Sequence, residues 1–356
     1  MFLKHPFTRK AVATAGVALA VALGAAACGS GNSTSTDSSG KPVVKIMVGG
    51  LDKQIYLPAM LAQQLGYYAQ QGLDVQLSDE PAGVNAETDM VAGQIDAVVG
   101  FYDHNIDLQA KGKQTEEVVQ MLQVPGEVEL CRSDEPNITS PKDWAGKSLG
   151  ITDLGSSTDF LTKYLAVRNG VSVDSIHELG VQAGQTFIAA MQHHNIDCGM
   201  TTEPTVSQLV DSHQAHAILD SRTLAGSRAA FGGAYPASSL YMSTAYVNAH
   251  KDIVQKLANA YVETLNWIQT HSAAQITDKM PADYYAGTGK AAYTEALQNE
   301  KGIYDPTGQM PADGPQTVLK VLSAFNPDVK NVDLSKTYDN SFATTADNTY
   351  HIASSS

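Results

Sequence analysis

The chain has 356 residues, 43% of them hydrophobic, enough to bury a large core that divides most naturally between two domains. Its 37 Asp and Glu stand against 23 Lys and Arg, and no basic cluster interrupts that excess. A field of this sign repels phosphate backbones, so nucleic acid is excluded as an expected partner.

The first residues read as an address. Lys4, Arg9 and Lys10 precede an apolar run from Ala11 to Leu23, and small residues follow up to Cys28. The run is shorter than the ~20 residues a bilayer span requires. Residues 1–27 are therefore expected to be an export signal. Ala25-Ala26-Ala27-Cys28-Gly29-Ser30 resembles a bacterial lipoprotein signal, which implies lipidation of Cys28; cleavage at an ordinary A-x-A site is the alternative. Loss of the signal removes three basic and no acidic residues, leaving 20 Lys and Arg against 37 Asp and Glu. Residues 28–41, almost only Gly, Ser, Thr, Asn and Asp up to Gly40, read as a flexible tether.

Beyond the tether one unit occurs twice. Val43 to Val48 is a β-branched strand ending at Gly49-Gly50, and Leu57, Met60, Leu61 and Leu65 then fall at helical spacing up to Gly72. Leu73 to Leu77 alternates as a strand, Ala86 to Ala92 is a helical segment, and Gln94 to Gly100 is a third strand. The second half repeats the order: strand Ser148–Thr152, helix Thr158–Asn169 closed by Gly170, strand Ile176–Val181, helix Thr186–His193, strand Asn195–Met200. Gly72-Leu73-Asp74-Val75 matches Gly170-Val171-Ser172-Val173, and Gln94-Ile95-Asp96 matches Asn195-Ile196-Asp197. Two α/β lobes follow, each with a mostly parallel sheet, and ligands of such sheets sit beyond the carboxyl ends of the strands.

The run Ile151-Thr152-Asp153-Leu154-Gly155-Ser156-Ser157-Thr158 is the most pointed feature of that kind. A hydrolase nucleophile on a strand-to-helix turn needs glycine on both sides, G-x-S-x-G, and the second glycine is missing. As a helix N-terminus the segment offers free N–H groups, the positive end of the helix dipole and several hydroxyls, which suits a sulfonate, carboxylate or carbonyl. Capping of the helix by Ser157 or Thr158 is the plainer alternative, and both roles can coexist.

Gly72-Leu73-Asp74-Val75, Ile95-Asp96-Ala97, Ser140 to Gly150, Gly155-Ser156-Ser157-Thr158 and Glu203-Pro204, in this order and spacing, resemble the substrate-binding proteins of ABC importers for sulfonates, taurine, nitrate and thiamine precursors. The resemblance runs from about Val43 to about Ala274. It implies a type II periplasmic-binding-protein fold, with residues 42–127 and 238–350 forming the first lobe and 128–237 the second. The crossings are expected near Gly126–Arg132 and Gly232–Met242, and a helix over Tyr246–His271 is expected to pack back on the first lobe.

The resemblance also places ligand contacts in the strand-end loops. The resulting set is Asp52, Tyr56, Tyr102, Asp103, His104, Ser156, Ser157, Thr158 and Glu203. Tyr56, Phe101 and Tyr102 could stack on a flat ligand. Asp52, Asp103, Asp153 and Glu203, unless Lys53 neutralises them, favour a solute with N–H, O–H or ammonium groups. Such a solute has an anionic or acceptor end and a donor-rich end, as in an aminosulfonate or an aminopyrimidine. The implied partners are that solute, the permease subunits and the membrane through a lipid anchor, with the protein itself a monomer. No catalytic residue, metal or cofactor is implied. The thiamine-pyrimidine synthases share this fold and are enzymes, but their cysteine-rich iron-binding run is lacking here; a ligand sensor for a receptor kinase is a third reading.

Three features remain. His193 and His194 are adjacent on a helix and point about 100° apart, so they do not chelate one ion easily. Within the implied fold Cys131 and Cys198 lie on neighbouring strands, and export favours oxidation; whether they pair depends on register. Met280-Pro281-Ala282-Asp283 recurs as Met310-Pro311-Ala312-Asp313, each a possible helix entry.

Overall fold

The computed structural model describes residues 35–352. The expected signal, Cys28 and the tether as far as residue 34 lie outside the described residues. Residues 35–42 fold back instead of running free: Thr36 bridges Pro42, and the Asp37 carboxylate accepts the N–H groups of Ser39 and Lys41. Among the described residues no helix is long and apolar enough to cross a membrane.

The strands are β1 (Val43–Val48), β2 (Asp74–Asp79), β3 (Ala97–Phe101), β4 (Thr115–Gln120), β5 (Glu127–Arg132), β6 (Ser148–Ile151), β7 (His177–Gly180), β8 (Cys198–Thr202), β9 (Ala215–Asp220) and β10 (Ser238–Ser243). They form two five-stranded sheets, ordered β2-β1-β3-β10-β4 and β7-β6-β8-β5-β9. In each sheet the fourth strand in that order is the connection arriving from the other lobe, and it runs antiparallel to both neighbours. Four of the five strands in each sheet thus point one way, and the fold is the two-lobed α/β arrangement expected.

The helices relevant here are α1 (Leu57–Gln64), α2 (Tyr67–Gln70), α3 (Gly83–Val91), α4 (Asp103–Ala110), α5 (Ser157–Arg168), α6 (Gln185–Gln192), α7 (Thr205–Asp211), α8 (Leu224–Phe231), α9 (Thr244–Ala249) and α10 (Lys251–Thr270). The expected helix over 246–271 is broken at His250, which leaves the helical region between α9 and α10. α10 turns Ile253, Leu257, Ala260, Tyr261, Leu265 and Ile268 inward against the first lobe, as the spacing requires.

The repeated sequence pieces do the same physical work twice. Asp96 accepts the backbone N–H of Lys45 at 2.8 Å and Asp197 that of Ser148 at 2.9 Å, so each Ile-Asp pair stitches its incoming strand to the first strand of its sheet. Gly72 and Gly170, at φ +73° and +80°, end the preceding helices in left-handed conformations that a residue with a Cβ adopts at a cost.

Cys131 and Cys198 sit directly opposite each other on β5 and β8 and are joined in a disulfide. His193 and His194 are both exposed, and His194 pairs with Asp134 at 3.5 Å, in keeping with a solvated helix end. The two Pro-Ala-Asp segments behave differently: Pro281 precedes a short 3-10 turn, whereas Asp313 is itself the cap of the helix Gly314–Ser323, which carries Pro315 in its first turn.

Candidate functional site

The carboxyl ends of β1, β3 and β6 and the start of β5 converge on one small cavity of about 20 Å³, room for about one water. Its walls are Lys53, Tyr56, Gly83, Phe101, His104, Glu127, Thr152, Ser156, Ser157 and Thr158. The lobes touch around it. The Ser157 hydroxyl donates to Asp103 Oδ1 at 2.7 Å, and the Gln54 N–H donates to the Glu203 carbonyl at 3.2 Å. Gly83 brings the α3 entry so close to the imidazole that a Cβ there would stand 2.8 Å from His104 Nε2.

The hydroxyls of the Gly155–Thr158 segment take three separate roles. Ser156 is the N-cap residue by backbone conformation, yet its side chain makes no capping bond, and its buried Oγ has no partner. Ser157 reaches across to Asp103. Thr158 Oγ1 accepts the Thr152 N–H at 2.9 Å and bonds the Thr152 hydroxyl at 2.7 Å. Capping alone does not account for the segment: no serine or threonine side chain caps α5, and Ser156, Ser157 and Thr158 at its N-terminus line the cavity.

The first lobe supplies the charge. His104 Nδ1 lies 2.9 Å from Glu87 Oε2, and its Nε2 lies 3.4 Å from Ser157 Oγ. Burial by itself depresses the imidazole, but Glu87, Asp103 and Asp107 outweigh it and push the pKa up to about 9, so His104 is a cation at neutral pH. Asp103 is fully buried and accepts from Ser157 and, at 2.8 Å, from the Tyr235 hydroxyl. Burial raises its pKa, against the pull of His104 and those two donors. Lys53 Nζ donates to the carbonyls of Gly49 and Pro81 at 2.7 and 2.9 Å, and burial lowers its pKa. Tyr56 and Phe101 meet edge to face, ring centroids 6.3 Å apart, as an aromatic wall.

Of the nine residues expected at the site, Tyr56, His104, Ser156, Ser157 and Thr158 line this cavity, and Asp103 stands directly behind it. Three are elsewhere. Tyr102 turns its hydroxyl to Thr337 at the back of the first lobe, because α4 starts at Asp103 and directs the preceding side chain into the core. Asp52 is exposed on the rim of an outer groove of about 200 Å³, which Glu203 also lines with Gln185, Thr205, Asp283 and Tyr284. Glu203 is already committed: Oε1 accepts from Arg222 at 2.6 Å and from the Ser207 hydroxyl at 3.0 Å, and Oε2 accepts the Ser207 N–H. Asp153 accepts the N–H of Leu154.

The carboxyl that does face the cavity, Glu127, was absent from the expected set, and Lys53 figured there only as a neutralising charge. The signal for Glu127 is Glu127-Val128-Glu129-Leu130-Cys131, two acids at period two in an otherwise apolar crossing strand. Glu127 is 4% exposed, and burial pushes its pKa up to about 7 against the opposing pull of Lys53.

A family described as NMT1/THI5-like matches residues 55–274, more than half of the chain. The chain belongs to the NMT1/THI5-like family. A structure from Bordetella bronchiseptica RB50 is 33% identical and superposes with a TM-score of 0.83, covering 87% of this chain and 98% of the other. The alkanesulfonate-binding protein SsuA from Xanthomonas axonopodis pv. citri, bound to MOPS, is 16% identical with a TM-score of 0.66, covering 84% and 98%, and shares the fold. Among curated proteins, a 4-amino-5-hydroxymethyl-2-methylpyrimidine phosphate synthase of Legionella pneumophila is 28% identical over 188 residues, which are 48% of this chain and 58% of that protein. The chain thus carries the periplasmic-binding-protein fold that sulfonate-binding proteins also use.

Proposed function

We propose that this protein is the extracytoplasmic solute-binding component of an ABC importer and captures a small organic solute between its lobes. The observation that carries the reading is the convergence of Lys53, His104 and the N-terminus of α5 on one cavity, a set of donors suited to an anionic or acceptor group; at about 20 Å³ it holds about one water, so the lobes must part to admit an organic solute. The aromatic wall of Tyr56 and Phe101 suits a flat or aliphatic body, so a sulfonate or taurine-like molecule and an aminopyrimidine-like one are the favoured classes. Ligand bridging the α5 N-terminus and the first lobe would favour the closed state by its extra contacts there, and the permease would read that state. Anchoring through Cys28 would keep a monomeric receptor at the membrane surface. No bond is broken in this reading and no cofactor takes part.

The Legionella relative supports a second reading, in which the same cavity is the site of a pyrimidine synthase. A ligand sensor that docks on a receptor kinase is a third use of the same closure. The test is the melting temperature of the chain from Lys41 to Ser356 after on-column unfolding and refolding. The panel holds taurine, alkylsulfonates, nitrate, aminopyrimidines, aromatic carboxylates and betaines. A ligand at 100 times its Kd adds about 2.7 kcal/mol of stability. A hit recovered unchanged after incubation supports capture, and conversion of the hit supports the synthase.

A further inference from the structure

We infer that Glu127 is the residue with which the cavity selects solutes presenting a hydrogen-bond donor or a cationic nitrogen at the end opposite their negative charge. The inference rests on the solute-binding reading above and concerns which solutes that site accepts.

The carboxyls around the cleft differ in what they have left to give. Asp103 is held by Ser157 and Tyr235, Glu87 by His104, and Glu203 by Arg222 and Ser207. Glu127 makes no side-chain hydrogen bond, and its buried Oε2 is without a partner although the residue is almost fully enclosed. A buried acceptor left unmet is costly; Glu117, Glu129 and Glu300 are left so as well, and of these four carboxyls Glu127 is the one that lines the cavity. Lys53 is the cation whose charge acts on Glu127 across the cavity, but Gly49 and Pro81 hold its ammonium in the first lobe, and the two form no direct ion pair. A solute with an acceptor end toward Lys53 and His104 and a donor end toward Glu127 would complete both groups at once.

The backbone beneath Glu127 is fixed. Its carbonyl accepts the Ser221 N–H at 2.9 Å and the Ser221 hydroxyl at 2.6 Å, and the Gly126 carbonyl accepts Thr202 Oγ1 at 3.1 Å. The carboxyl is therefore preorganised on the first residue of the crossing strand, where the chain enters the second lobe. Glu129, next on the same face of β5, is buried with both oxygens unpartnered, so it makes no hydrogen bond to Glu127, and burial together with the Glu127 charge raises its pKa well above the usual carboxylate range. A solute lacking the donor would leave Glu127 desolvated and unpaired, the situation in which hydrogen-bonding sites discriminate most strongly.

The experiment is titration calorimetry on the full chain with matched probes: taurine against ethanesulfonate, and a 4-aminopyrimidine against the same ring without its amino group. The native protein is expected to bind the amino member of at least one pair 100-fold or more tightly than its partner. Glu127→Gln is expected to reduce that preference to below tenfold, by weakening the amino member and relieving the penalty on its amino-free partner. Its thermal melt, run alongside, shows that the variant is folded. A native protein that binds both members equally, or a variant that keeps the preference, would overturn the role of Glu127 and leave solute capture standing. Failure of every probe to bind would overturn the role and the proposed solute classes together.

Discussion

In the first lobe the loops beyond β1 and β3 deliver ionisable groups, Lys53, Asp103 and His104, with Glu87 packed behind them. In the second lobe the equivalent loop beyond β6 delivers Thr152, Ser156, Ser157 and Thr158, hydroxyls backed by a helix N-terminus. Strand order is the same in both sheets, and the same Asp stitch and Gly helix stop recur, so topology does not explain the difference. The single ionisable group the second sheet adds to the cavity, Glu127, comes from the crossing strand. Equivalent scaffolds can thus present opposite chemistry to a shared space, because the loops are free of the pattern that builds the sheets.

The comparison breaks most severely at His104. His104→Leu removes the cation and leaves Glu87 and Asp103 buried without it, and should cost about 3–5 kcal/mol of stability in denaturant unfolding. Ser157→Ala, in the other lobe, removes a hydroxyl with no charge and should cost far less. In the native protein the imidazole is raised from its ordinary value to about 9, so its stabilising contribution is fully present below about pH 6.5 and is lost as pH rises through 9.

Next in size is the disulfide, which belongs to the scaffold and not to the cavity. Cys131→Ala with Cys198→Ala opens a loop of 67 residues and should lower stability by about 4 kcal/mol in the chain-entropy account, with ligand affinity unchanged in titration. Glu127 acts in the opposite direction. Its raised pKa means that the native state holds the proton more tightly than the unfolded chain, so stability falls as pH rises from about 4.5 through 7. Glu127→Gln should flatten that window and leave the ligand-free protein more stable than native at pH 8, by about 3 kcal/mol at most, in thermal melts across pH. The smallest effect is that of Ser157→Ala, about 1–2 kcal/mol, seen as roughly tenfold weaker binding because one bond between the lobes is lost. An equally large loss from Ser157→Ala and His104→Leu would contradict the division of labour between the lobes.

The sheets were largely legible. β1, β2, β3, β6, β7 and β8 announce themselves as β-branched or alternating runs, and the repeat of Ile-Asp and Gly marks the second copy. β4 was not legible as a strand, because Thr115-Glu116-Glu117-Val118 carries charge and Glu117 is nonetheless buried. α4 was hidden for a similar reason: Asp103, His104 and Asn105 read as part of a strand-end loop, whereas all three are buried and His104 and Asp103 find partners across the cleft. At the site, residues on the α5 entry could be named because a helix start has a local signature. Glu127 could not, since its role depends on which carboxyls the tertiary structure has already satisfied. Glu203 looked equally promising until Arg222, nineteen positions away, proved to occupy it.

The central claim is that Lys53, His104 and the α5 N-terminus hold a solute between the lobes, which part to admit it. The most direct measurement is mass spectrometry of solute released by denaturing protein purified without unfolding, from the native chain and from Lys53→Met. The account predicts about one equivalent of a small organic molecule carrying an acidic or acceptor group from the native chain, and little or none from the variant. The same solute retained at the same stoichiometry by Lys53→Met would contradict it.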